Sequence, residues 1–101
     1  MTRRLTDEEI TRQLADLPGW QRVQDSIQAT FEAPDFLGGI RLVDGVAELA
    51  ETMNHHPDID IRWRRVAFTL STHSAGGLTQ LDIELAHQIN EEAGRARARP
   101  S

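Results

Sequence analysis

The sequence predicts an α+β domain: a four-stranded antiparallel sheet with three helices packed on one face, in the order α-β-β-α-β-β-α. Three observations point there. Three stretches repeat apolar residues at helical spacing, and each opens on a Thr or Asp cap. Two pairs of short stretches between them alternate with period two, the mark of strands with one buried face. The elements run as helix, two strands, helix, two strands, helix, which is the pattern of helices segregated onto one face of an antiparallel sheet.

The first helix starts at Thr6, with Glu9 three residues on as a capping box and Leu5 and Ile10 at the spacing of a hydrophobic staple. Ile10, Leu14 and Leu17 form its stripe, and Pro18-Gly19 ends it. Trp20 to Gln24 and Ile27 to Glu32 read as strands around a turn at Asp25-Ser26, with Ile27, Ala29 and Phe31 on one face. Pro34-Asp35 breaks the second strand, and Asp35 caps a long helix to about Met53. Phe36, Ile40, Val43, Ala47 and Ala50 trace one side of this helix, and Leu37, Leu42, Val46, Leu49 and Met53 widen it. Gly38, Gly39 and Gly45 lie inside it, each costing about 1 kcal/mol relative to Ala. They mark either a kinked or weak helix or the close approach of another backbone, such as that of a second subunit.

In the second strand pair, Ile59, Ile61 and Trp63 alternate with charged residues, and Val66, Phe68 and Leu70 follow in the opposite parity. A parity change marks a turn or a bulge. A turn at Arg64-Arg65 pairs Trp63 with Val66, Ile61 with Phe68 and Ile59 with Leu70, and on this parity Trp63 belongs to the core. Extended, the register sets His56 opposite His73, with Cβ atoms about 4.5–5.5 Å apart. Arg-Arg lacks the Asn or Gly that tight hairpin turns favour, so a different loop would shift the register. After the loop Ser74-Ala75-Gly76-Gly77, Thr79 caps the last helix, whose stripe is Leu78, Leu81, Leu85 and Ile89. Residues 1–101 are expected to form one domain, with an ordered core over 5–93 and a basic, disordered tail over 94–101.

The chain has 101 residues, 39% hydrophobic and 27% charged, enough for one small core that gains from association. The net charge of −5 argues against sequence-independent binding to nucleic acid. There is no cysteine, hence no disulfide or thiolate metal site, in keeping with a reducing compartment. No apolar run reaches the roughly 20 residues of a membrane span, and the N-terminus lacks a signal core. A cytoplasmic protein is expected.

Chemistry concentrates in His55, His56 and His73. Unperturbed imidazoles titrate near 6.5 and can move protons at neutral pH. A lone His at a helix end is more often a cap, but a pair facing a third across a hairpin favours acid–base work. His87 falls on a polar helix face and reads as solvated. Glu51, one turn before His55, is positioned either to bond that ring or to stand in solvent. Asp82, at the third position of the last helix, reads first as a helix cap and second as a carboxylate orienting an imidazole. Three His and an Asp suit zinc or iron, but adjacent residues of extended chain point apart, so His55 and His56 do not readily share one ion.

Taken together, Glu51, His55-His56-Pro57, Trp63, His73 and Asp82 resemble at their spacings the signature of the pterin-4α-carbinolamine dehydratases. Asn54-His55-His56-Pro57-Asp58 and Thr72-His73-Ser74-Ala75-Gly76-Gly77-Leu78-Thr79 carry the resemblance most closely, and it spans about residues 5–93. It implies a hydro-lyase that converts 4a-hydroxytetrahydrobiopterin to quinonoid dihydropterin and water, without metal or organic cofactor. It implies His55, His56 and His73 as the catalytic set, with Glu51, Pro57, Trp63 and Asp82 as supporting or substrate-binding residues. The partner expected is a small-molecule pterin, with no nucleic acid and no membrane, in a homodimer or homotetramer built through the 35–53 helix and the sheet. The competing readings are a non-catalytic interaction module with a vestigial pterin site and a metal-dependent enzyme.

Overall fold

The computed structural model describes residues 3–101. Three helices, α1 (Asp7–Leu14), α2 (Phe36–Met53) and α3 (Gln80–Arg95), alternate with two strand pairs, β1 (Gln21–Val23) with β2 (Ser26–Glu32) and β3 (Asp58–Arg62) with β4 (Arg65–Leu70). A short fifth strand, β5 (Arg99–Pro100), closes the chain. The predicted α+β class and element order hold. The main sheet runs β1-β2-β4-β3, antiparallel throughout, and β5 pairs with the far end of β2.

The central pair of strands shows why the helices lie on one face. Ile27, Ala29 and Phe31 of β2 stand opposite Leu70, Phe68 and Val66 of β4, and all six are buried. Phe31 and Phe68 meet edge-on at 6.0 Å, and Trp20 meets Phe31 at 6.5 Å. Leu42 and Val46 of α2, Ile83, Leu85 and Ile89 of α3, and Ile10 of α1 complete the same core. Fully burying side chains of this size is worth about 1.5–3 kcal/mol each. The helix starts follow the sequence. Thr6 and Glu9 form the capping box of α1, and the Asp35 carboxylate accepts from the Gly38 amide at 2.7 Å.

The glycines of α2 admit neighbours from the same chain. A Cβ on Gly39 would lie 3.4 Å from Val66 of β4, and one on Gly45 would collide with the Glu92 carboxylate of α3. The helix is closely packed at these positions, but its nearest neighbours are side chains of β4 and α3 of the same chain rather than another backbone.

Two expectations are corrected. The tail is not disordered: α3 runs to Arg95, Ala98 is buried, and Phe31 and Glu32 pair with Pro100 and Arg99. The backbone groups of β2 beyond β1 needed partners, and the tail supplies them. The β3–β4 turn falls at Trp63-Arg64, not Arg64-Arg65, so Ile61 pairs with Val66 and Ile59 with Phe68. Trp63 takes the left-handed conformation the tight turn demands (φ 55) and is 70% exposed, outside the core. The ladder ends at Asp58–Thr69, so His56 and His73 are not a cross-strand pair.

Candidate active site

The end of α2 decides where the two adjacent histidines go. Asn54 adopts a left-handed conformation (φ 50), its amide donates to the Glu51 carbonyl, and the His55 amide donates to the Ala50 carbonyl at 3.0 Å. This is the Schellman pattern of helix termination. Asn tolerates that backbone better than most residues. The chain leaves the helix with His55 turned inward and buried, and His56 exposed. Pro57, half-buried, then leads into β3.

His55 reaches the start of α3. Its Nε2 lies 2.6 Å from Oδ1 of Asp82, a wholly buried carboxylate. Asp82 Oδ2 accepts from the Thr72 hydroxyl at 2.8 Å and from the Thr79 amide at 3.0 Å. The Thr72 and Thr79 hydroxyls are themselves 2.8 Å apart, and the Leu81 amide donates to the Thr79 hydroxyl. Because Thr72 gives its proton to Asp82, the Thr79 hydroxyl donates to Thr72. Oδ2 thus accepts twice, and with Asp82 as the carboxylate Oδ1 is also an acceptor, an arrangement that requires the shared proton on Nε2 of His55. Nδ1 of His55 remains for other chemistry. A buried carboxylate is tolerable only with partners of this kind. Asp82 therefore holds both roles that its position suggested: it caps α3 and it orients an imidazole.

His56 finds a different acid. Its Nε2 lies 2.5 Å from Glu51 Oε2, and both side chains are largely exposed. Glu51 thus bonds the second histidine rather than the first. The turn at Asn54 inserts a reversal that simple helical spacing does not include. His73 opens a single turn of 3-10 helix, His73–Ala75, just after β4. It lines a cavity of about 380 Å³ together with Asp58, Ser71, Gly77 and residues of the β1–β2 turn. That size falls within the range of small-molecule sites.

The structure therefore gathers His55, Asp82, Thr72 and Thr79 into one buried network, with His73 following Thr72 directly in the chain. Trp63 stands apart, at the closed end of the hairpin from whose open end the histidines extend. His87 is exposed on α3, as expected. Among the described residues, no group of three or more His, Asp or Glu side chains is arranged to hold a metal ion. Thr72 was missed as a site residue. The signal was present: it continues the inward parity of Val66, Phe68 and Leu70, and a polar residue at a core position needs a polar partner.

Comparison with known proteins follows the same residues. A family model described as Pterin 4 alpha carbinolamine dehydratase matches residues 3–92. A Nocardia farcinica protein provisionally named a pterin-4-alpha-carbinolamine dehydratase is 61% identical over 92 residues, covering 91% of this chain and 97% of its own. A Roseiflexus protein with the same provisional name is 55% identical, covering 90% and 98%. A crystal structure described as a transcriptional coactivator/pterin dehydratase from Brucella melitensis superposes with a TM-score of 0.87 at 39% identity, covering 90% of this chain and 99% of that one. A pterin dehydratase-like protein identified as a RuBisCO assembly factor shares the fold, with a TM-score of 0.62 at 21% identity over 74% of this chain and 87% of its own.

Proposed function

This chain belongs to the pterin 4 alpha carbinolamine dehydratase family, and from that premise we propose that it dehydrates 4a-hydroxytetrahydrobiopterin by histidine acid–base catalysis, in the recycling of tetrahydrobiopterin. The reaction removes the 4a-hydroxyl and the N5 proton. An acid protonates the oxygen, the C4a–O bond breaks with its electron pair leaving in water, and the N5 lone pair forms the C4a=N5 bond. A base takes the N5 proton, so protons balance over the turnover. Residues of suitable pKa contribute about 10²–10⁴-fold in such transfers.

The observation that carries this reading is the buried Asp82 carboxylate beneath His55. Asp82 presents His55 in a single tautomer, with Nδ1 free to exchange a proton. A merely structural cap at Asp82 has no need of an imidazole. His73, in the neighbouring cavity, is the second member of the proton-transfer pair. His56, exposed and braced by Glu51, binds and orients the pterin, with Pro57 fixing the backbone between it and β3. Trp63 lies too far along the hairpin to serve the histidines of its own chain. No metal or organic cofactor takes part.

The exposed apolar residues support self-association. Phe36 and Leu37 at the start of α2 are 53% and 55% exposed, and Ile59 and Ile61 of the edge strand β3 and Trp63 in the turn after it lie uncovered. An open edge strand with apolar side chains invites pairing. A homodimer or homotetramer built through α2 and this edge of the sheet covers both. No described helix is long and apolar enough to cross a membrane.

The test is a direct dehydration assay on freshly generated 4a-hydroxytetrahydropterin, with and without chelator. Turnover above the spontaneous rate, unchanged by chelator, is the expected result. No acceleration at micromolar protein would leave an interaction module as the reading of this fold.

A further inference from the structure

We infer that the closed end of the β3–β4 hairpin, together with the C-terminal strand, forms a binding site for a small phosphate-bearing anion, separate from the histidine site. A cavity of about 360 Å³ there is lined by Glu32, Ala33, Pro34, Arg64, Arg97 and Arg99. Three arginines and one glutamate line it, in a chain whose net charge is −5.

The positive charge in this cavity is poorly neutralised. Arg64 Nη2 lies 3.8 Å from Glu32 Oε2, and Nη1 reaches the Pro34 carbonyl only at 3.4 Å. Its Nε is buried with no hydrogen-bond partner, the one such side-chain atom among the described residues. Arg97 and Arg99 form no ion pair among the described residues, although acids outnumber bases in the chain. The weakly partnered Nη groups of Arg64 and the exposed side chains of Arg97 and Arg99 leave charged N–H donors for which an oxyanion supplies acceptors. Guanidinium forks match the paired oxygens of phosphate.

The cavity wall is also built in advance. Ala98 is buried between the two tail arginines, and its amide donates to the Ala93 carbonyl at 2.8 Å. Arg97 sits in a left-handed turn (φ 58), Arg99 stands opposite Glu32 in the β2–β5 backbone ladder, and the Ser101 amide donates to the Thr30 carbonyl. Arg65 Nη2 holds the Ser101 hydroxyl at 2.6 Å. The guanidinium of Arg64 is backed by the Trp63 ring, 4.8 Å from its centroid. Fixing the backbone beforehand reduces the ordering cost of binding. Arg97 and Arg99 both lie beyond residues 3–92, the span the family model matches. The site thus joins two residues outside that span to Glu32 and Arg64 within it, and it stands whether or not the histidines catalyse dehydration.

The experiment uses the full chain and follows backbone amide NMR shifts at constant ionic strength. The probes are inorganic phosphate and glycerol 3-phosphate, with chloride as reference. Saturable shifts confined to residues 32, 33, 64 and 97–99 are expected with at least one probe. A response to phosphate alone assigns the site to the free anion, and an equal or stronger response to the ester assigns it to a phosphate group carried on a metabolite. The exposed double variant R97Q/R99Q should bind about tenfold more weakly or worse, the scale of a lost hydrogen bond between charged groups. R64K, which keeps the charge but loses the fork, should also weaken binding, while R12Q on α1 should not. Shifts spread over every arginine, the same shifts with chloride, or unchanged affinity in R97Q/R99Q would overturn the assignment. Dehydration rates should be the same in R97Q/R99Q and wild type.

Discussion

Asp82→Asn tests the buried network in the sharpest way, because it changes one atom and leaves the volume nearly constant. Asp82 accepts from three groups: His55 Nε2, the Thr72 hydroxyl and the Thr79 amide. Asn has one acceptor oxygen and one donor amine, so it cannot serve all three. If its amine faces Thr72 and Thr79, the buried Thr79 amide loses its carboxylate partner. If its amine faces His55, that ring must shift its proton to Nδ1 to accept. The second arrangement leaves fewer orphaned donors and should prevail. The loss of a charge-assisted, buried interaction is then about 1–3 kcal/mol in stability, read as a lower denaturant midpoint at unchanged slope. The same change reverses the proton on the ring edge left for substrate. Nitrogen chemical shifts of His55 should report Nε2–H in the wild type and Nδ1–H in the variant, with kcat falling about 10²-fold or more. An unchanged tautomer together with a large loss of rate would show that Asp82 does not act through His55. Unchanged stability and rate would refute the network altogether.

His73→Ala should lower kcat by about 10²-fold or more with the fold intact by circular dichroism, while His87→Ala, on the exposed face of α3, should be silent in the same assay. Glu9, bound to the Arg3 guanidinium and to the Thr6 amide, is held down to about 2 from 4.5. Its folded value lies below its unfolded one, so the capping box contributes fully above about pH 4.5 and is lost as pH falls through about 2. Carboxyl NMR titration should show a midpoint near that value, and a normal midpoint would mean that the Arg3–Glu9 bond is absent in solution. Gly39→Leu should destabilise the fold by about 1–3 kcal/mol, because Val66 and Ala33 leave room for little more than a Cβ. A neutral effect on the denaturation midpoint would show that α2 and β4 are less closely packed than described. Sedimentation at micromolar concentration should show a dimer or larger species, which Ile61→Lys on the exposed edge strand should dissociate.

Where the sequence and the structure part company, the cause is physical. Residues 55, 56, 73 and 82 were legible because distinctive chemistry sits beside elements with strong local signals. Their partners were less so. Helical spacing assigns Glu51 to His55, but the left-handed turn at Asn54 hands it to His56. The β3–β4 register misled more instructively. The expected and observed pairings differ by two residues, and a two-residue slip keeps every side chain on its own face. Alternation alone therefore accepts either. The turn geometry chooses, and it places Trp63 in solvent.

By itself, the sequence determined the class of fold, the caps of the helices, the inward faces of β2 and β4 and the residues able to do acid–base chemistry. These depend on interactions within a few residues, or on a period that the chain carries in its own letters. Only the tertiary structure decided which groups meet. It set the register of β3, the union of His55 with Asp82, Thr72 and Thr79, the closeness of Gly39 to Val66, and the pairing of Arg99 and Pro100 along β2. Each of these joins residues distant in the chain, or selects among arrangements equal in local energy, and the deciding term is the burial and hydrogen bonding that only the assembled core provides.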